Sequence, residues 1–168
     1  MTKTPEQRFV ELYEEMGQLA ETEGWGEVFS YARSRELRIA FALGHTLHDE
    51  FSGADGIDQN GNPCEYKSTT GPKVQGAYSG ISVQPSWAEQ VEYLKNDKLA
   101  KYPFHFFARF KGAKLQEIWK VSGEDVYKTL LPKLENQYHQ RKHKTTKDPR
   151  LSATLTTKEI KMLGEQVL

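Results

Sequence analysis

Cysteine is almost absent. Cys64 is the only one, so no intrachain disulfide can form and no zinc centre can be built on several thiolates. A reducing, cytoplasmic setting is therefore expected. Long apolar runs are absent too. None approaches the ~20 residues that cross a bilayer, and the N-terminus lacks the apolar stretch of a signal peptide. No membrane association is expected. Neither an internal repeat nor a low-complexity tract interrupts the chain. Net charge is also missing, with 23 Lys/Arg against 23 Asp/Glu. That balance hides an asymmetry. Residues 1–60 carry 5 Lys/Arg against 12 Asp/Glu, a balance of −7, and residues 61–168 carry 18 against 11, a balance of +7. The later part can face an anionic partner, although ordinary solvated charge gives the same totals.

What is present fits one domain of 168 residues with ordinary apolar and charged content. Thr4, Pro5 and Gln7 form a helix start with a capping box. Phe9, Leu12, Tyr13, Met16, Leu19 and Ala20 follow at helical spacing, and Gly24 and Gly26 stop the run. A second helix is predicted over Ser34 to His48, with Leu37, Ala40, Phe41, Leu43 and Leu47 on its apolar side. This wide apolar surface serves either the core or a dimer interface, and for any single residue the core is expected. Strands are predicted at about 54–59 and 63–69, then a helix from the Ser86 cap to about Lys101. "YPFHFFARF" and "AKLQEIWKV" read as an aromatic strand pair. A helix from Ser122 to about Gln140, a strand near Leu151 to Thr156 and a terminal helix follow. Residues 68–86 read as an irregular, functional loop. The order implies an α/β (α+β) single domain with a mixed sheet.

"GADGIDQNGNPCEYKST", residues 53–69, concentrates the chemistry. Asn60-Gly61 is a strong hairpin signal and brings Asp55 near Glu65 and Lys67. Alternation puts Glu65 and Lys67 on one face of a strand. Tyr66 points away, with its backbone carbonyl near the acids. Two carboxylates and a carbonyl form a hard oxygen site suited to Mg²⁺, with Mn²⁺ as a substitute. A lysine there can orient or deprotonate a water on a metal that also neutralises phosphate charge. The set suits phosphodiester hydrolysis. The competing reading is a solvated, charge-decorated hairpin.

"ADGIDQNGNPCEYKS" resembles the catalytic hairpin of PD-(D/E)xK nucleases, and among them type II restriction endonucleases of the PvuII kind. The resemblance extends over "EGWGEVF", the aromatic strand pair and "KDPRLSATL". It implies a restriction-endonuclease-like fold over residues 1–168, with 1–50 as a helical dimerisation region and 51–168 as the catalytic and DNA-binding core. It also implies a homodimer with one Mg²⁺-dependent site per subunit, cutting double-stranded DNA to leave 5′-phosphate ends. Asp55 and Glu65 would ligate the metal with the Tyr66 carbonyl, and Lys67 would assist the attacking water. The leading Pro-Asp is Ala-Asp here, and "EFSGA" replaces an acidic, Gly-rich approach. "VQGAYSGISVQPSW" lacks the His-containing DNA-reading segment, so no cognate sequence carries over. Other nucleases on the same core (homing, phage-borne or junction-resolving) and a noncatalytic DNA-binding module are the rival readings.

Further DNA contacts are expected from two segments. Arg141, Lys142, Lys144, Lys147 and Arg150, interleaved with His139 and His143, suit phosphates. Tyr78, Ser79, Ser82 and Gln84 suit groove edges, and Lys73 a phosphate. His45 and His48 are expected to play structural parts near a helix end, and His105 to be packed. Asp58 is expected to serve the turn and Glu50 to be a spare acid near the site. No catalytic role is expected for Cys64.

Overall fold

The computed structural model describes residues 3–30, 32–47, 53–140 and 150–168. Helix α1 spans Pro5–Thr22, and the Thr4/Gln7 capping box closes its N-terminus as predicted. Its apolar stripe does not enter the core. Phe9 is 68% exposed, and Leu12, Tyr13, Met16 and Leu19 lie between 43% and 50%; within the helix only Ala20 is buried. The expectation of core positions is corrected here, because α1 stands off the sheet and leaves the stripe open. Helix α2 covers Arg33–Leu43, shorter than predicted. Gly44 takes the left-handed conformation that ends a helix. Leu47 therefore falls in strand β1 (Thr46–Leu47), and Phe41, 80% exposed, faces outward.

Strand β2 (Gly56–Ile57) and β3 (Pro63–Thr69) form the predicted hairpin. Strand β4 (Gly76–Ile81) lies inside the segment read as irregular. Helix α3 (Trp87–Tyr93) starts at the Ser86 cap and runs into a π-turn at Leu94–Lys98. Strands β5 (Phe104–Lys111) and β6 (Lys114–Ser122) are the aromatic pair. Helix α4 (Gly123–Gln140), strand β7 (Leu151–Leu155), helix α5 (Thr157–Leu163) and a short edge strand, β8 (Glu165–Gln166), complete the described elements.

The main sheet runs β1-β2-β3-β5-β6-β8, mixed because β3 and β5 are parallel and the other pairs antiparallel. Strands β4 and β7 form a separate antiparallel pair. Alternation along β5 divides the interior. Phe106, Ala108 and Phe110 pack with Ile39 and Ala40 of α2, Cys64 and Tyr66 of β3 and Ile118 of β6. Phe107 points the other way, into a cluster with Leu130 and Leu134 of α4, Leu151 and Leu155 of β7 and Ile160 of α5. Both faces of β5 are covered, so this strand reads as a near-continuous apolar run.

Gly76 lets β4 close onto that second cluster. A Cβ there would sit 2.1 Å from a ring carbon of Phe107, which is fully buried. Gly76→Ala is expected to destabilise the chain by about 1–3 kcal/mol through overpacking. Urea unfolding measures it, and an unchanged midpoint would contradict this close approach.

Candidate active site

The hairpin is built by its own turn. The Asp58 carboxylate accepts the amides of Asn60 (2.9 Å) and Asn62 (2.8 Å) and the Asn62 side-chain amide (3.0 Å). Gly61 adopts φ 83°, a conformation that side chains disfavour. The expected turn role of Asp58 matches this geometry. Beyond the turn, the Asp55 amide donates to the Cys64 carbonyl at 2.9 Å. The Asp55 carboxylate in turn accepts the backbone amide of Tyr66 at 2.6 Å. Asp55 is thus tied across to β3 between Glu65 and Lys67.

The faces of β3 divide the residues. Cys64 and Tyr66 are buried on the α2 side. The Tyr66 hydroxyl pairs with His45 Nδ1 at 2.9 Å, which gives His45 the structural role expected of it. Burial holds His45 below its ordinary pKa and pushes the Cys64 thiol up to about 11. Glu65 and Lys67 face the opposite side, joined as an ion pair, with their side chains 16% and 25% exposed. They open into a cleft of about 300 Å³ whose walls include Tyr78, Gly80, Lys98, Lys101 and Tyr102.

Burial, then the nearby Glu65 carboxylate, pushes the Asp55 pKa up to about 7, against the pull of the Tyr66 amide. Burial alone would lower Lys67, but Glu65, Asp55 and Glu36 outweigh it and hold the amine as an ammonium. Glu36 was not anticipated from the sequence. It lies on α2 with Arg33 Nη1 3.5 Å from its carboxylate, and burial raises its pKa. Its signal was its place. It shares the sheet-facing stripe of α2 with Ile39, Ala40 and Leu43, three, four and seven residues on, where an acid is out of character.

Among the described residues, no three His, Cys, Asp or Glu side chains form a metal cage. The donors present are two carboxylates, and their mutual repulsion is what a cation would relieve. A hard divalent ion that keeps several waters fits such a pair better than zinc, which favours nitrogen and sulfur ligands.

The expected DNA contacts divide. Ser79, Ser82 and Lys73 are exposed, and Gln84 is half-buried. Buried Gln90 clamps their segment, accepting from the Gln84 amide at 2.8 Å and donating to the Ser82 carbonyl at 3.2 Å. Tyr78 differs from the other four. It is buried, and its hydroxyl lies 2.7 Å from His105 Nδ1. The other ring nitrogen of His105 lies 2.8 Å from the Leu99 carbonyl. A carbonyl only accepts, so Nε2 carries the proton and Nδ1 accepts from Tyr78. Burial lowers the His105 pKa to about 4, which keeps the ring neutral. Tyr78 is thus a wall of the cleft, not a side chain extended toward a groove. Of the basic segment, His139 at the end of α4 and Arg150 are described; the Arg150 guanidinium lies where a Cβ on Gly80 would meet it at 3.4 Å. Arg141, Lys142, His143, Lys144 and Lys147 lie outside the described residues, as do His48 and Glu50.

Folded Asp55 keeps its proton to about pH 7, whereas an unperturbed aspartate loses it near 3.8. Between those values the folded chain binds more protons. The contribution of this group to stability is full below about 3.8 and lost as pH rises through 7. Asp55→Asn should therefore stabilise the metal-free chain at pH 8, by on the order of 1–3 kcal/mol. Near pH 4 the difference should vanish. Urea unfolding in chelator at both pH values checks this, and no gain at pH 8 would contradict the burial of an ionised Asp55.

Comparison with known proteins agrees with this geometry. No curated protein matches the chain significantly. A family model described as restriction endonuclease PvuII matches residues 3–164, nearly the whole chain and both elements of the hairpin. That family consists of DNA endonucleases, and the α+β architecture with its mixed six-stranded sheet is consistent with their fold. With the acids, the lysine and the sheet in place, the chain belongs to the PvuII restriction endonuclease family.

Proposed function

We propose that this chain is a Mg²⁺-dependent, site-specific endonuclease that cuts both strands of DNA and leaves 5′-phosphate ends, acting as a homodimer. The observation that carries the reading is the gathering of three residues on one hairpin, Glu65 and Lys67 lining the cleft and Asp55 tied between them through the Tyr66 amide, in a chain of a restriction endonuclease family. The family favours restriction over homing or junction resolution. The gathered acids and lysine weigh against a noncatalytic module.

Asp55 and Glu65 would hold the cation. The Tyr66 amide donates to Asp55, and the amide and carbonyl of one strand residue point to the same edge. The Tyr66 carbonyl is therefore available to the same site. Bound Mg²⁺ would supply Lewis acidity and a bound water of lowered pKa. Lys67, held as an ammonium by Glu65, orients the attacking water and meets the negative charge on the phosphate. Ser79, Ser82 and Gln84 would read base edges from the β4–α3 segment. Lys73, Arg150 and the basic residues Arg141, Lys142, Lys144 and Lys147 would contact phosphates.

The homodimer reading is supported by the open apolar stripe of α1. Five large apolar side chains at helical spacing, each more than two-fifths exposed, make an unusual surface for a monomer. Wild-type chain should sediment as a dimer, and Leu12→Glu with Met16→Glu should shift it to monomer. A double variant that stays dimeric would move the interface elsewhere.

Lys67→Ala should leave duplex binding in Ca²⁺ near wild type while lowering Mg²⁺-supported cleavage by roughly 10²–10⁴-fold. Near-normal cleavage would remove Lys67 from the mechanism. In calorimetry, Asp55→Asn and Glu65→Gln should each weaken Mn²⁺ binding. Unchanged affinity in both would return the hairpin to a solvated, structural role.

A further inference from the structure

We propose that Tyr78 is a positioning residue for Lys67, its ring face holding the Lys67 ammonium beside Glu65 while His105 anchors its hydroxyl. The inference rests on the reading of Lys67 as part of the reacting site. Lys67 Nζ lies 5.1 Å from the centroid of the Tyr78 ring, within the range where a cation is drawn to an aromatic face. Lysine is a point charge on a flexible stem, so its own bonds do not fix its direction. Glu65 attracts it from one side, and the Tyr78 ring supports it from another.

The ring is itself held on two levels. Its hydroxyl donates to His105 Nδ1, and His105 Nε2 donates to the Leu99 carbonyl. His105 is fully buried and pairs in register with Glu65 across the parallel strands β3 and β5, so it points to the same face as the site. The Leu99 carbonyl is set by the π-turn, whose closing bond runs from the Leu99 amide to the Leu94 carbonyl at 2.7 Å. A π-turn in a helix often marks a functional site, and this one sets the carbonyl to which His105 donates. The chain of contacts from Leu99 to His105, Tyr78 and Lys67 spends two buried polar side chains on one lysine.

The test reads the Lys67 side chain and the cleavage step separately. In isotope-labelled wild-type chain, the protons at the end of Lys67 should resonate upfield of the other lysines, shielded by the ring face. Tyr78→Leu should lose that shift and Tyr78→Phe should keep it. Single-turnover cleavage by Tyr78→Leu should be between about 3-fold and about 30-fold slower than wild type, with duplex affinity in Ca²⁺ unchanged. Tyr78→Phe, which keeps the ring, should recover rate relative to Tyr78→Leu. A Tyr78→Leu chain that has lost the shift yet cleaves at the wild-type rate overturns the proposal. So does a wild-type Lys67 without the upfield shift, a result that needs no variant to fold. Both outcomes leave the nuclease reading in place. A wild-type chain that shows the shift but cuts no duplex overturns both, through the cleavage arm alone.

Discussion

The alternation of β3 against β5 is the constraint on which the site depends. Parallel pairing sets Glu65 opposite His105 and Lys67 opposite Phe107, while Cys64 and Tyr66 lie opposite Phe104 and Phe106. Burial of Cys64 and Tyr66 against α2 leaves the chain no choice about the other face. Slipping the register by one residue would put a carboxylate and an ammonium into an apolar cluster and expose a tyrosine and a cysteine. The hydrophobic pattern that stabilises the sheet therefore also aims the chemistry. The short hairpin adds the remaining acid, because the Tyr66 amide faces β2 and Asp55 accepts it.

The two faces of the sheet carry different duties. The α2 face is packed and holds the hairpin through the Tyr66–His45 bond. The opposite face is packed under α4, β7 and α5, then opens near β4 and the π-turn into the cleft. Charge follows the same division. The acidic first sixty residues bring Glu36 and Asp55 toward a site where they repel one another, which a cation would relieve. The basic remainder supplies Lys67, Lys98 and Lys101 around the same cleft.

Much of this was legible in the sequence where the cause is local. Thr4–Gln7, Ser86–Glu89 and Ser122–Asp125 start helices by contacts three residues apart. Asn60-Gly61 marked the hairpin, and the aromatic runs marked β5 and β6. What was not legible depends on distant partners. "GAYSGI" has little strand character of its own and becomes β4 by pairing with β7, more than seventy residues later, and by packing Gly76 on Phe107. Periodicity through Leu47 suggested a longer α2, and Gly44 overrode it. In the site, the acids and lysine of the hairpin were visible as a cluster. Tyr78 was read from its loop-like surroundings as a DNA contact, and only the fold brings it against His105 and under Lys67. Glu36 came into reach only once α2 was laid across the sheet.

The central claim is that these residues make a nuclease with a defined duplex site. Digesting a mixed-sequence duplex library with the chain and Mg²⁺, then sequencing every new terminus, tests it most directly. The account predicts 5′-phosphate ends that gather at one short sequence, with the two strands cut symmetrically about a two-fold axis as a homodimer requires. Termini no more frequent than in the metal-free control, or scattered without sequence or symmetry, would contradict it.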